Sequence, residues 1–345
     1  MKHVFYIRNN ITYLISLVII KKLQIKQEDV RVLIPRHYNY AEIPYPVYDY
    51  EDDFSKLLNP QPFLKRLLSE DSQYERFDAK INEFVENEKF AVYLPNLFSI
   101  KRQALINHKN CIQVNFIEEG MMVYSYSNSY KLGFFGNLKG KQKITAFFSR
   151  NLFYFRMRRQ FAVKDFFDIS VINKPKETIF YGVSKLSYQK YKPKNLEVLK
   201  LEPLRKKIFP KNSHIIVLDA MPENDIVDYP IFIESIQNLL IKLKNHSGLY
   251  IKFHPLQSEK TINDILDFCS KNEIQIIRIN KEVIMEDYIL ASENLIFHGY
   301  ISSLLFYAKA LGDHKTYTYI DDFKENEKFK QFMLTQDLDL TQLLK

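Results

Sequence analysis

The feature that most narrows the fold is a repeated alternation of short apolar runs with stretches of helical periodicity, interrupted once by a proline- and lysine-rich interval. Lys2–Ile7, Val30–Pro35, Phe90–Leu94 and Cys111–Ile117 have the length and the β-branched or aromatic content of strands. Ile11–Leu23 repeats its apolar residues at helical spacing behind Asn9 and Asn10. Phe54–Leu68 and Tyr74–Asn87 also read as helical. Beyond residue 212 the rhythm resumes, with strands expected over His214–Leu218, Leu249–Phe253, Gln275–Arg278, Asn294–Phe297 and Lys315–Tyr319. Helices are expected between them, over Pro230–Lys244, Thr261–Lys271, Val283–Ala291 and Ser303–Leu311, with a last one over Glu325–Thr335. Such alternation builds parallel sheets with crossover helices.

The interruption, residues 170–212, holds Pro175, Pro193, Pro203 and Pro210 and a crowd of basic residues, the composition of a connection between domains. The expected organisation is therefore an N-terminal Rossmann-like domain over 1–170, a connecting segment over 171–212 and a C-terminal Rossmann-like domain over 213–345. Two such α/β units in tandem point to a glycosyltransferase of the GT-B type. The active site is then expected in the inter-domain cleft, with the acceptor on the N-terminal side and the nucleotide sugar on the C-terminal side.

Hydrophobic residues make up 46% of the chain and charged residues 26%, enough for packed cores and too apolar for wholesale disorder. The two cysteines, Cys111 and Cys269, have no metal-ligand spacing and form no disulfide framework, which favours a cytoplasmic location. Ile11–Ile20 is too short to span a bilayer and reads as a core helix. The net charge of +8 attracts nucleic acid, anionic lipid or a phosphorylated substrate alike. A basic nucleic-acid-binding protein is thus the non-enzymatic alternative, but no RRM, KH or helix-turn-helix signature supports it, and nucleic acid is not an expected partner. Phe147–Lys164 combines five basic residues and six aromatics without an acid. It reads either as a peripheral contact with the inner membrane or an acceptor glycolipid, or as a helix packed in the core or against a second copy in a homodimer.

Three clusters each follow a predicted strand, where open α/β sheets bind ligands. Glu118-Glu119-Gly120 offers a carboxylate as general base for a hydroxyl, with a glycine that permits a sharp turn; an acidic turn is the structural alternative. Lys252-Phe253-His254-Pro255 offers a histidine able to assist a leaving phosphate, unless a backbone group merely satisfies it. His298-Gly299-Tyr300-Ile301-Ser302-Ser303 leads serines into a helix N-terminus, where amides, dipole and hydroxyls favour an anion; one serine also suits an N-cap. HExxH and GxxxxGK[ST] are absent, and no loop holds a compact DxD-like metal site.

In this order the clusters resemble the D/E-D/E-G, HP and Ser-Ser/Thr motifs of bacterial sialyltransferases, the group of lipooligosaccharide sialyltransferases and capsular polysialyltransferases. The resemblance implies an inverting transfer of sialic acid from CMP-sialic acid to a hydroxyl of a bacterial surface glycan, with no metal and no cofactor beyond the donor. It implies that Glu118 is the general base, supported by Glu119 and Gly120. His254 then assists departure of cytidine monophosphate, Lys252 and Pro255 line the nucleotide site, and Ser302 and Ser303 bind the phosphate. Glu282 matches the acid that contacts the ribose, with Glu286 as a nearby alternative. A related transferase using another nonulosonic acid or nucleotide sugar is the competing enzymatic reading.

Overall fold

Each expected strand of the first half forms where its apolar run lies. The computed structural model describes residues 1–35, 43–49, 75–97, 100–120, 123–124, 167, 176–204 and 208–335. Strands Lys2–Tyr6 (β1), Val30–Ile34 (β2), Phe90–Leu94 (β4) and Cys111–Ile117 (β5) pair in parallel. Every residue of β2 and β4 is buried, as expected of strands covered on both faces. Helix α1 (Asn10–Lys22) starts from a capping box in which Asn9 accepts the Thr12 amide while the Thr12 hydroxyl accepts the Asn9 amide. Residues 75–84 (α2) are helical, and a further helix, Ile100–Ile106 (α3), was not expected from the sequence.

The stretch 171–212, expected as a connection, contributes strands to this first sheet. Glu177–Gly182 (β6) pairs with β5, and Leu196–Val198 (β7) pairs with β6. Aromatic packing fixes β6: Phe180 lies 4.8 Å from the Phe116 ring and 5.1 Å from that of Tyr188. With a short strand, Val47–Asp49 (β3), the sheet has seven strands in the order β3-β2-β1-β4-β5-β6-β7.

The second sheet has the order β10-β9-β8-β11-β12, all parallel. Its strands are His214–Val217 (β8), Leu249–Lys252 (β9), Ile277–Arg278 (β10), Ile296–Gly299 (β11) and Lys315–Thr318 (β12). The connecting helices are Tyr229–Leu243 (α4), Glu259–Lys271 (α5), Met285–Ala291 (α6) and Ser303–Gly312 (α7), followed by Glu327–Thr335 (α8). Helix α4 begins with proline in its first turn and buries Phe232, Ile236, Leu239, Leu240 and Leu243, one helical stripe, against Ile216, Leu249 and Ile251. Strand β11 runs two residues further than expected, because His298 and Gly299 pair with Ile216 and Val217 on one side and Tyr317 and Thr318 on the other. A side chain at Gly299 would stand 2.6 Å from the Val217 carbonyl oxygen, so only glycine lets β11 continue there.

Two parallel α/β units thus make up the described chain, as the alternation predicts. One comprises Met1–Glu119 and Tyr130–Lys200, the other Gly120–Ser129 and Leu201–Lys345. Among the described residues no helix is long and apolar enough to cross a membrane. Phe54–Leu68 and Phe147–Lys164 lie outside the described residues.

Candidate active site

In the second sheet β8 comes first in the chain, and its neighbours β9 and β11 are reached in opposite directions. The crevice beyond the C-terminal ends of these strands is the topological switch point at which open α/β sheets bind ligands. His254, two residues beyond β9, stands on this edge with its imidazole oriented by the backbone. Nδ1 accepts the Leu256 amide N–H at 3.1 Å, which places the neutral ring's proton on Nε2. Its own amide donates to Gln257 Oε1 at 2.8 Å. Burial holds the imidazole below its ordinary pKa, against the opposing pull of the Glu223 carboxylate. His254 is therefore a neutral donor through Nε2, since an imidazolium would turn Nδ1–H against the Leu256 amide. Pro255 is exposed on the same turn.

Ser302 is the N-cap of α7: its Oγ accepts the Leu304 amide N–H at 3.3 Å, as the structural alternative holds, and Ser303 opens the helix. By strand spacing, the ends of β9 and β11 lie about 10 Å apart across the edge of β8. Gly120 belongs to this unit and has φ +101, a conformation that favours glycine; a Cβ there would sit 3.7 Å from that of Ser303.

Lys252 is 7% exposed, and its ammonium donates to the carbonyls of Asn280, Lys281 and Val283 at 2.6, 3.0 and 3.2 Å. All three of its protons are used, so it ties down the turn that carries Glu282. Burial draws this lysine down to about 8, while the Glu286 and Glu282 carboxylates act the other way. Glu282 itself is exposed, its amide donating to Asn280 Oδ1 at 3.2 Å, whereas Glu286 is buried in the first turn of α6.

Asp219 escaped the sequence reading. It stands two residues beyond β8, and its Oδ2 accepts the Ile301 amide at 2.9 Å, so it braces the loop leading to Ser302. Burial pushes its carboxyl up to about 7, and the Ile301 and Tyr300 amides partly offset this. The strand-end criterion that singles out His254 would also have found it.

In the first unit, Glu118 and Glu119 leave β5 and point to different partners. Glu118 is 0% exposed, and its Oε2 accepts the Val183 amide at 2.9 Å and the Ser187 hydroxyl at 2.8 Å. Gly182 makes this possible, because a side chain there would come within 2.4 Å of Ser187 Cβ. Glu119 pairs through Oε1 with Arg8 at 2.8 Å and through Oε2 with Asn96 at 2.8 Å. Burial raises its pKa, and the Arg8 and Arg102 guanidiniums pull it back. Arg8 and Asn96 follow β1 and β4, the switch point of this first sheet, and had not been singled out. Among the described residues no group of His, Cys, Asp and Glu could hold a metal ion.

No curated protein matches the chain by sequence. Among solved structures it is similar to a sialyltransferase from Photobacterium damsela, at 11% identity and TM-score 0.38, over 92% of this chain and 81% of that one. It is also similar to MurG of Acinetobacter baumannii, at 12% identity and TM-score 0.40, over 100% and 93%. A putative UDP-N-acetylglucosamine 2-epimerase from Listeria monocytogenes is similar at 9% identity and TM-score 0.45, over 96% and 82%. The family model described as alpha-2,8-polysialyltransferase matches residues 20–321, which contain all three strand-end clusters. The chain belongs to the alpha-2,8-polysialyltransferase family, and is a glycosyltransferase of the sialyltransferase kind.

Proposed function

We propose that the enzyme transfers sialic acid from CMP-sialic acid to a hydroxyl of a bacterial surface glycan, lipooligosaccharide or capsule, with inversion and without a metal. The acceptor oxygen attacks the anomeric carbon from the face opposite the phosphate. The new C–O bond forms as the bond to the phosphate oxygen breaks, the hydroxyl proton passes to Glu118, and cytidine monophosphate leaves. The observation that carries this reading is the imidazole of His254, whose Nδ1 is committed to the Leu256 amide so that Nε2 carries a proton. That proton suits a hydrogen bond to the departing phosphate. Ser302 and Ser303 at the start of α7 add hydroxyls and helix amides to the same task. With these donors the phosphate charge is met without a cation.

Glu118 is the proposed base as the first acid of the strand-end cluster, whereas Glu119 is paired with Arg8 and Asn96. Glu119 then fixes the turn through Arg8 and Asn96. Lys252 serves the nucleotide site through the turn that carries Glu282, the proposed ribose contact; Pro255 lines the same site. The test is release of cytidine monophosphate from CMP-sialic acid, with galactose-terminated and sialic acid-terminated acceptors side by side. Glu118→Gln should keep the fold and cut turnover by about 10²–10⁴, and chelator should leave the wild-type rate unchanged. Near-wild-type turnover in Glu118→Gln with loss in Glu119→Gln moves the base to the second carboxylate. If none of the acceptors tried brings about release of cytidine monophosphate, the donor assignment is wrong or the acceptor lies outside this class; binding of CMP-sialic acid by calorimetry separates the two.

A further inference from the structure

The turn that holds His254 contains a hydrogen-bond donor with no partner among the described residues. Gln257 is 7% exposed, and its Nε2 is buried without a hydrogen-bond partner among the described residues. The orientation of this amide is fixed by its other end: Oε1 accepts the His254 amide N–H at 2.8 Å, and only an oxygen can do so. The turn supplies no second acceptor. The His254 carbonyl receives the Gln257 backbone N–H at 3.0 Å, and His254 Nδ1 receives that of Leu256. A buried donor left unpaired is costly and rare in native proteins, and calls for a specific explanation.

Its place supplies one. The turn leaves β9 at the switch-point edge of the second sheet, where His254 Nε2–H and the first amides of α7 are further donors. These donors together fit an acidic ligand, the neighbouring Glu223 and Asp219 carboxylates being engaged by Ser258, Thr261 and Ile301. We propose that Gln257 is a further residue of the donor-substrate site, its Nε2–H donating to an acid oxygen of the nucleotide sugar while its Oε1 holds the backbone of His254. The inference rests on reading this edge as the nucleotide-sugar site. The acid oxygen belongs either to the phosphate or to the carboxylate of the sugar.

Calorimetry with cytidine, cytidine monophosphate and CMP-sialic acid on the wild type, Gln257→Met and Gln257→Glu tests it. Both variants remove the amide donor; Gln257→Glu keeps an oxygen for the His254 N–H and carries the test if thermal melts show that Gln257→Met does not fold. Cytidine, which has no acid group, should bind all three proteins within about twofold. The acidic ligands should bind the variants about ten- to a hundredfold more weakly. Weakening that begins with cytidine monophosphate assigns the contact to the phosphate, and weakening confined to CMP-sialic acid assigns it to the carboxylate. Equal loss for all three ligands would mean a distorted pocket and overturn the proposal, as would no loss for any. A wild type that binds none of the three removes the reading of the site, and this inference with it.

Discussion

At the scale of residues, Asp219 couples the second unit to pH. Burial lifts its carboxyl from 3.8 to about 7. The folded state therefore holds its proton more tightly than the unfolded chain does, and binds more protons between these values. Stability from this group is present at low pH and is lost as pH rises through about 7. Asp219→Asn keeps an oxygen for the Ile301 amide and cannot ionise. It should raise thermal stability at pH 8 by on the order of 4 kcal/mol, and by far less at pH 4.5. Equal melting shifts at both values would refute the assignment. Residue types at strand ends were legible in the sequence: His254, Ser302 and Glu118 all stand where the alternation places ligand sites. What they touch was not. That Lys252 spends its ammonium on three carbonyls, or that Glu118 turns toward Val183 and Ser187, depends on loops brought together from 28 to 69 positions away in the chain. Spacing along the sequence contains no such information.

At the scale of elements, β6 shows why a strand within the interval 171–212 is hard to read from sequence. Glu177–Gly182 is a good strand by composition, but prolines and lysines around it dominate a window of that size. The signal that decides is tertiary, the packing of the Phe180 ring, tilted against Phe116 and edge-on to Tyr188. The end of this strand gives a sharp prediction. Gly182→Ala sets a methyl 2.4 Å from Ser187 Cβ and 3.3 Å from Glu118 Oε2, so Ser187 must move. The cost should be about 1–3 kcal/mol, read by thermal melt, with a matching loss of turnover if Glu118 is the base. Adding Ser187→Gly should restore much of the stability and not the turnover, since the hydroxyl to Glu118 is gone. The turn after β10 gives another: Lys252→Met frees three carbonyls at once and should lower stability by about 1–3 kcal/mol while weakening nucleotide binding through the Glu282 turn. Unchanged melting would show that water replaces the ammonium without penalty.

At the scale of the whole molecule, the net charge of +8 suits an acidic glycan acceptor. If the acceptor is a chain of sialic acids, its KM should rise with ionic strength between 50 and 300 mM salt, roughly the range over which the Debye length shortens most usefully, while kcat holds. A KM indifferent to salt would leave the charge without this role. The number of α/β units was legible because two runs of strand–helix alternation are each long enough to close a sheet. The path of the chain between them was not. Gly120–Ser129 groups with the second unit, yet the first unit resumes at Tyr130. Within the second unit Tyr124 lies 4.2 Å from the ring of Phe306 in α7. Seen from the ribosome, this means that a piece of the later unit emerges well before the rest of it. The contact between Tyr124 and Phe306 forms only after synthesis delivers α7. A fragment starting at Leu201 would lack that piece, so no single cut in the gene separates the two units.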